Sequence, residues 1–207
     1  MHIVLLIVAI SYLLGSIPFG YILVRIFRGE DVRRSGSGNI GATNVARKSP
    51  ALGVLTLVLD ALKGSAAVFV ATTLSRQHGG YRNLYSMMSL AALCAIAGHL
   101  FPIWLKFRGG KGVATGLGSF VMIAPKAVLI SVAIFIIIVL LFRYVSLGSI
   151  IAVAAFPVFV WILHQYSNSR CALIFMALSS LLIIVKHHQN IRRLLAGSEN
   201  RLGTNRV

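Results

Sequence analysis

The chain has 207 residues, 57% of them hydrophobic, and its 20 lysines and arginines against four aspartates and glutamates give a formal net charge of +16. Apolar blocks long enough to cross a bilayer, which takes about 20 helical residues, fill most of this length. The composition therefore excludes a soluble enzyme and leaves no room for a separate soluble domain. We predict one membrane-embedded domain over residues 1–207, in which Cys94 and Cys171 lie in apolar blocks and face lipid or pack between helices.

Six apolar blocks follow one another along the chain. The first lacks the basic start of a secretory signal and its apolar character continues too far for one, so it is predicted to be a span. In chain order the blocks cover residues 3–27, 51–74, 85–105, 117–142, 147–163 and 171–185. Their apolarity predicts an all-α polytopic integral membrane protein.

Clusters of lysine and arginine follow the first, third and last blocks. The positive-inside rule places all three clusters in the cytoplasm, and six crossings would leave the last cluster outside. Pro125 and Lys126 interrupt the fourth block and are predicted to split residues 113–142 into two crossings, the first with about 12 residues and a length of about 18 Å. We predict seven transmembrane helices, with five as the alternative that also satisfies the charges, the N-terminus outside and the C-terminus cytoplasmic.

The first cytoplasmic loop contains SGSGNIGATN, in which Gly36, Gly38 and Gly41 spell the G-x-G-x-x-G pattern of dinucleotide-binding proteins. That pattern is informative only between a strand and a helix of a soluble βαβ unit, which this chain does not offer. Glycines among small polar residues can instead leave backbone N–H groups free to surround an anion. The second loop, KFRGGKGVATG, places Lys111 among glycines in the same way. Flexible turns are the alternative explanation for both loops.

Few side chains are available for acid–base or metal chemistry. Asp60 is the one acid within a span, and Lys63 three residues later predicts a buried structural ion pair. The six histidines show no H-E-x-x-H motif, and none has an aspartate five residues later, as in acyl-CoA-dependent glycerolipid acyltransferases. We therefore expect cations and hydroxyls to act on a phosphate-bearing substrate that is already activated, with positioning and charge stabilisation supplying most of the rate.

Five segments occur in order over nearly the whole chain: GSGNIGATNVAR, LDALKG, GHLFPIWLKFRGGKGVATG, RYVSLGSI and HHQNIRRLLAGSE. Together they resemble the bacterial acyl-phosphate-dependent glycerol-3-phosphate 1-acyltransferase family. The resemblance implies transfer of a fatty acyl group from acyl phosphate to the sn-1 hydroxyl of glycerol 3-phosphate. The products are then lysophosphatidic acid and inorganic phosphate, in the first step of bacterial phospholipid synthesis.

The resemblance also implies a location and a set of partners. The enzyme would lie in the bacterial cytoplasmic (inner) membrane, among membrane lipids, with its active site facing the cytoplasm. No cofactor, metal ion or nucleic acid is expected. Whether a soluble enzyme that produces acyl phosphate is a partner stays open.

Site residues follow from the matching motifs. The implied catalytic set is Ser37, Arg47, Lys111, His187 and Asn190. The implied substrate contacts lie mostly in the two glycine-rich loops and are Gly38, Asn39, Gly41, Ala42, Thr43, Asn44, Gly109, Gly110, Gly112 and Ser149. Gly148 stands where the resemblance leads us to expect alanine, and Glu199 is expected to serve structure more than chemistry.

These residues suggest a mechanism as a hypothesis. The loop at 38–43 holds the phosphate of the acyl donor, while Arg47 and Lys111 clamp the phosphate of glycerol 3-phosphate. His187 and Asn190 orient the attacking hydroxyl, and either the imidazole or the donor's own phosphate takes the proton. Direct attack is favoured over an acyl-enzyme because no base is assigned to the serine of the first loop.

Two other functions are alternatives. A transporter of phosphorylated anions would place polar groups at the membrane midplane, on broken helices of two related halves, whereas here they lie in loops on one side. A noncatalytic lipid-binding scaffold would tolerate the loss of Ser37 and Lys111. Lys106 and Arg108 fit either substrate ligands or interfacial lipid anchors, and His99 is placed to brace the second loop.

Overall fold

The computed structural model describes residues 2–77 and 84–203, and neither range contains a strand. This confirms the predicted all-α class. Short 3-10 turns lie at Val32–Arg34 and Ile103–Leu105. The α-helices are α1 (His2–Ser16), α2 (Phe19–Arg28), α3 (Ala42–Lys48), α4 (Pro50–Gln77), α5 (Leu84–Leu100), α6 (Val113–Val121), α7 (Pro125–Phe142), α8 (Val145–Ile162), α9 (Arg170–Lys186) and α10 (His188–Leu195).

Within the described ranges, five helical segments are long and apolar enough to cross a membrane, and α9 with α10 adds a sixth if this pair, bent by 55°, is one span. The sixth predicted block corresponds to α9. Pro18 separates α1 from α2 inside the first segment, because proline donates no backbone hydrogen bond to a continuing helix. The five segments are His2–Arg28, Pro50–Gln77, Leu84–Leu105, Pro125–Phe142 and Val145–Ile162.

The predicted break in the fourth block is present. The helix α7 begins at Pro125, where the fixed φ of proline suits a first helical position. The helix before it, α6, has nine residues rather than about 12 and is about 13 Å long at the helical rise. The seventh predicted crossing therefore depends on this short helix.

The largest apolar core among the described residues lies between α5, α6, α7, α8 and α9, with a contribution from α4. Phe120 of α6 stacks on Phe156 of α8 with 4.5 Å between ring centroids. Ile96, Met176 and Ile183 are buried around them. This core fixes the position of α6, whose first turn follows the second glycine-rich loop.

Glycines allow α6 to approach α4 closely. A Cβ atom added to Gly64 would lie 2.2 Å from the Thr115 carbonyl oxygen, and one added to Gly118 would lie 1.9 Å from the Ala61 carbonyl oxygen. The Ser65 hydroxyl donates across the same contact to the Gly118 carbonyl over 2.8 Å. Small residues that bring backbones together are a general basis of helix association in membranes.

The predicted ion pair within the second span is confirmed. Lys63 Nζ lies 2.8 Å from Asp60 Oδ1, and both side chains are almost fully buried. Lys63 also donates to the Ile17 carbonyl over 2.7 Å, at the break between α1 and α2. The pair therefore joins α4 to the point at which the first span changes direction.

The connections gather at two ends of the bundle. At one end, the Leu202 amide donates to the Arg143 carbonyl over 2.7 Å, which brings the segment after α10 to the corner between α7 and α8. At the other end, the Ala127 amide of α7 donates to Gln165 Oε1, between α8 and α9, over 2.8 Å. The start of α8 and the start of α7 therefore lie at opposite ends.

We predict that Gly118→Ala lowers the thermal stability of the protein in detergent. The new methyl group would meet a backbone carbonyl of α4 that cannot rotate away, and overpacking of this kind costs about 1–3 kcal/mol. Gly116→Ala is the matched control on the same helix, because its nearest neighbour is a flexible Ile183 methyl group 3.3 Å away. Equal unfolding midpoints for the two variants would contradict the proposed close contact.

Candidate active site

The first glycine-rich loop is organised around the buried side chain of Asn44. Its Oδ1 accepts from the Ser37 amide over 2.9 Å. Its Nδ2 donates to three carbonyls, those of Val32, Ser35 and Asn39. One side chain thus holds the loop closed, and no polar atom of Asn44 is left over for a substrate in this conformation.

Gly36 is required by this closed loop. It adopts φ +58°, and a Cβ atom there would lie 2.3 Å from Asn44 Oδ1. The Arg47 guanidinium lies beside the same glycine, with Nη1 3.6 Å from that Cβ position. Ser37 and Arg47 are both exposed, and neither side chain has a hydrogen-bond or ion-pair partner within the described ranges.

The backbone amides of this loop fall into two groups: those that donate a hydrogen bond to another described residue, and open amides that do not. The Gly38 amide donates to the Ser35 carbonyl, and the Gly41 amide donates to Asn39 Oδ1. The amides with no acceptor among the described residues include those of Asn39, Ala42 and Thr43. An anion nest in this loop is therefore smaller than the number of its glycines suggests.

The second loop divides in the same way. The Gly109 amide donates to the Leu100 carbonyl over 3.2 Å, and the Gly110 amide donates to the His99 carbonyl over 3.0 Å. From Lys111 onward the amides are open: those of residues 111–115 have no acceptor in the described part of the chain. Gly112, at φ +85°, turns the chain into α6, so these amides surround the positive end of that helix.

Lys111 adds a cation to this helix end. Its ammonium forms no ion pair within the described ranges. Burial lowers the pKa of Lys111 to about 8, partly opposed by the Glu199 carboxylate and reinforced by Arg193 and Arg47. All three charged groups lie close enough to influence this lysine, so the two loops and the segment after α10 meet at one place.

His187 ends α9 and is almost fully buried, with 2% of its surface exposed. Its Nδ1 lies 2.8 Å from the Ile183 carbonyl oxygen. A carbonyl only accepts, so Nδ1 carries the proton and Nε2 of the neutral ring is left with its lone pair. The fold thereby selects one tautomer without a carboxylate partner.

Glu199 joins three segments near this histidine. Its Oε1 accepts from Ser146 over 2.9 Å and from Asn190 over 2.7 Å, and its Oε2 accepts from Arg193 Nε over 2.7 Å. Burial alone would raise the pKa of the Glu199 carboxyl, but these hydrogen bonds outweigh it and lower that pKa. Asn190 Oδ1 is buried without a partner in the described chain, so this acceptor is available to a hydroxyl.

The remaining predicted substrate contact, Ser149, makes its side-chain hydrogen bond within its own helix. Its hydroxyl donates to the Val145 carbonyl in its own helix over 2.9 Å. The serine of the same motif that reaches the cluster is Ser146, one helical turn earlier. Sequence reasoning did not select Ser146 or Arg193, and no local pattern identifies them, because their partner Glu199 is found only through the fold. The expected structural role of Glu199 agrees with its contacts.

Among the described residues, no group of three or more histidine, cysteine, aspartate or glutamate side chains is placed to hold an ion. The same part of the chain offers two free thiols, Cys94 and Cys171, without a partner cysteine. The arrangement at this end of the bundle is one of cations, open amides, hydroxyls and one imidazole, which suits a phosphate-bearing ligand.

Comparison with known proteins gives consistent results over nearly the whole chain. The family model described as glycerol-3-phosphate acyltransferase matches residues 5–197. A glycerol-3-phosphate acyltransferase of Syntrophotalea carbinolica is 48% identical over 193 residues, 92% of this chain and 93% of that protein. One of Bartonella henselae is 46% identical over 200 residues, 96% of this chain and 92% of that protein.

Solved structures agree. A crystal structure of PlsY (YgiH), an integral membrane glycerol 3-phosphate acyltransferase in its glycerol 3-phosphate form, is similar with a TM-score of 0.87 and 37% identity, over 97% of this chain and 96% of that one. The lysophosphatidic acid form gives a TM-score of 0.84 and 36% identity over the same shares. The protein is thus an integral membrane acyltransferase, and the chain belongs to the glycerol-3-phosphate acyltransferase family.

Proposed function

We propose that the acyl donor is acyl phosphate and that its acyl group passes directly to the sn-1 hydroxyl of glycerol 3-phosphate. Lysophosphatidic acid and inorganic phosphate are the products. The observation that carries the proposal is the pair of cationic, amide-rich loops at one end of the bundle, each suited to one phosphate. A mixed anhydride is already activated, so a site without a carboxylate–histidine pair suffices for it.

The two phosphates are assigned to the two loops. Glycerol 3-phosphate binds at the N-terminus of α6, where Lys111 and the open amides that follow it offer charge-assisted hydrogen bonds. Arg47, whose charge is close enough to lower the pKa of Lys111, completes this clamp. The donor phosphate binds at the open amides of Asn39, Ala42 and Thr43, together with the Ser37 hydroxyl of the same loop.

His187 and Asn190 act on the attacking hydroxyl. Asn190 Oδ1, an acceptor with no partner among the described residues, takes a hydrogen bond from glycerol 3-phosphate, and the Nε2 lone pair of His187, left free when Nδ1 donates to Ile183, can do the same. Proton removal falls to His187 or to a donor phosphate oxygen, which becomes protonated as the phosphate leaves. Ser37 binds the donor and forms no acyl-enzyme, because no base is hydrogen-bonded to its hydroxyl within the described ranges.

The proposed topology is a single domain with seven crossings, the N-terminus outside and the site facing the cytoplasm. The start of α6 lies at the same end as the site, because the charges of Glu199 and Arg47 are close enough to affect the pKa of Lys111, two residues before α6. The start of α7, four residues after the end of α6, lies at the opposite end beside Gln165. These two positions support a crossing of the bundle by the short α6 and the turn after it, and with it the odd count that the basic loops require.

The proposed chemistry is tested by comparing two acyl donors. Purified protein given palmitoyl phosphate and radiolabelled glycerol 3-phosphate is expected to form lysophosphatidic acid, whereas palmitoyl-CoA is expected to give none. Ser37→Ala should lower the rate roughly 100-fold, the size of effect seen when one group that stabilises a transition state is removed. Ser35→Ala is the matched control, because that hydroxyl already donates to the Val32 carbonyl over 3.2 Å. Product from the thioester alone would refute the proposed donor.

The proposed role of Lys111 predicts a dependence on pH. The ammonium is charged below its pKa of about 8, and a phosphate ester is fully ionised above about pH 7. Affinity for glycerol 3-phosphate is therefore present at neutral pH and lost as the pH rises through about 8, by nearly tenfold per pH unit above that value. In Lys111→Arg the KM for glycerol 3-phosphate should stay flat from pH 7 to 9. A wild-type KM equally flat over this range would contradict the assignment.

The topology is tested by labelling with a membrane-impermeant maleimide. In a chain carrying Cys94→Ala and Cys171→Ala, single cysteines replace Arg108, Met122 or Ser167 in turn. Cysteine at 108 is expected to react only in inverted membrane vesicles. Cysteines at 122 and 167 are expected to react only in right-side-out vesicles, and reaction at 122 from the same side as 108 would contradict a crossing by α6.

A further inference from the structure

A buried polar cluster lies beside the second loop and is not used in the proposed chemistry. It consists of Asp60 and Lys63 on α4 and His99 on α5. Asp60 Oδ1 lies 2.8 Å from Lys63 Nζ and 3.6 Å from His99 Nδ1. The latter distance is an electrostatic contact rather than a hydrogen bond. Burial of such groups in an apolar bundle is unfavourable and calls for a reason beyond stability.

The other edge of the His99 ring faces the second loop. The Gly110 amide donates to the His99 carbonyl over 3.0 Å. A Cβ atom at Gly110 would lie 2.0 Å from His99 Nε2, and its three nearest neighbours are all atoms of this ring. Gly110 has no positive φ, so the contact alone excludes a side chain there. The loop backbone therefore packs directly against the imidazole ring at Gly110, one residue before Lys111.

We propose that His99, held by the Asp60–Lys63 ion pair, is a positioning residue that sets the Gly109–Lys111 loop for glycerol 3-phosphate. The inference rests on the proposed binding of that substrate by Lys111. It adds that affinity for glycerol 3-phosphate, and not for the acyl donor, is controlled from the interior of the bundle. His99 itself touches neither substrate.

The helix that follows the loop, α6, is also held by close contacts. Gly64, next to Lys63, lies against Thr115, and Gly118 lies against Ala61. The turn of α4 that carries the ion pair thus fixes both His99 and the first turns of α6. These close contacts leave no space in which the ring could move alone. A displacement of the ring therefore also displaces Lys111. Misplacement of a substrate-binding group by about 1 Å is enough to cost up to about 100-fold in rate.

The test is a double-mutant cycle between the ring and the glycine. Gly110→Ala places a methyl group against His99 and is expected to raise the KM for glycerol 3-phosphate about tenfold, with the KM for palmitoyl phosphate within about twofold of wild type. His99→Asn keeps a polar group towards Asp60 but removes the ring atoms that meet the methyl group. The double variant is therefore expected to bind glycerol 3-phosphate better than the product of the single effects predicts.

Two controls separate this inference from general damage and from the proposed function. Gly15→Ala creates an equally short contact, 2.0 Å from the Ala95 carbonyl oxygen, between α1 and α5 rather than at the loop. It is expected to lower thermal stability and to leave the ratio of the two KM values unchanged. Lys111→Ala should raise the KM for glycerol 3-phosphate, and a normal KM there would remove the proposed role of Lys111 itself.

The outcomes that overturn the inference are distinct. If Lys111→Ala raises the KM for glycerol 3-phosphate but the effects of Gly110→Ala and His99→Asn on that KM are additive, the ring and the glycine are not coupled. Equal increases of both KM values in Gly110→Ala refute a substrate-specific role. If Gly110→Ala does not fold, the double variant and His99→Asn decide: a wild-type KM for glycerol 3-phosphate in His99→Asn refutes positioning by the ring.

Discussion

A lysine and an aspartate buried between apolar helices determine how the rest of this bundle is arranged. Lys63 has two acceptors, Asp60 in its own helix and the Ile17 carbonyl at the break between α1 and α2. An unpaired charge there would be strongly unfavourable, so the break, the ion pair and the approach of α2 to α4 must form together. The helix α2 in turn leads into the first glycine-rich loop, and α3, which follows that loop, packs against α4 at Gly53.

The site illustrates how few of the polar groups in a loop remain for a ligand. In the first loop the side chain of Asn44 uses every polar atom to hold the backbone in place. In the second loop the first two glycine amides complete the end of α5, and only the amides from Lys111 onward are open. Glycine in these loops thus serves close packing at some positions and a free amide at others, and the sequence pattern alone does not separate the two roles.

Much of the fold followed from local sequence features. The apolar blocks located the helices, and Pro125 with Lys126 predicted the break before α7 because proline acts within its own turn. The break at Pro18 was missed, since apolar residues continue on both sides and hydropathy does not register a change in helix direction. The pair of Asp60 and Lys63 was predictable because the two residues lie one helical turn apart.

The candidate site was predictable only in part. The motif residues Ser37, Arg47, Lys111 and His187 carry visible chemistry, but the partners of Glu199 do not. Ser146 lies 53 residues away from it in sequence and meets it only after α8, α9 and α10 have packed. The contact of Gly110 with His99 likewise depends on a turn after α5 whose geometry no local pattern specifies. Such long-range contacts decided which of several serines and glycines reach the site.

The position of Glu199 after α10 has a consequence for how the protein is made. Helices enter the membrane in the order in which the ribosome produces them, and the two loops are in place well before the carboxylate that joins Ser146, Asn190 and Arg193. Until it arrives, Lys111 lies near Arg193 and Arg47 without the nearby negative charge that Glu199 supplies. During synthesis there is therefore a stage at which nearly all the helices are in the membrane but the contacts of Glu199 have not formed. We expect a chain that ends before Glu199 to be inserted in the membrane and to be inactive.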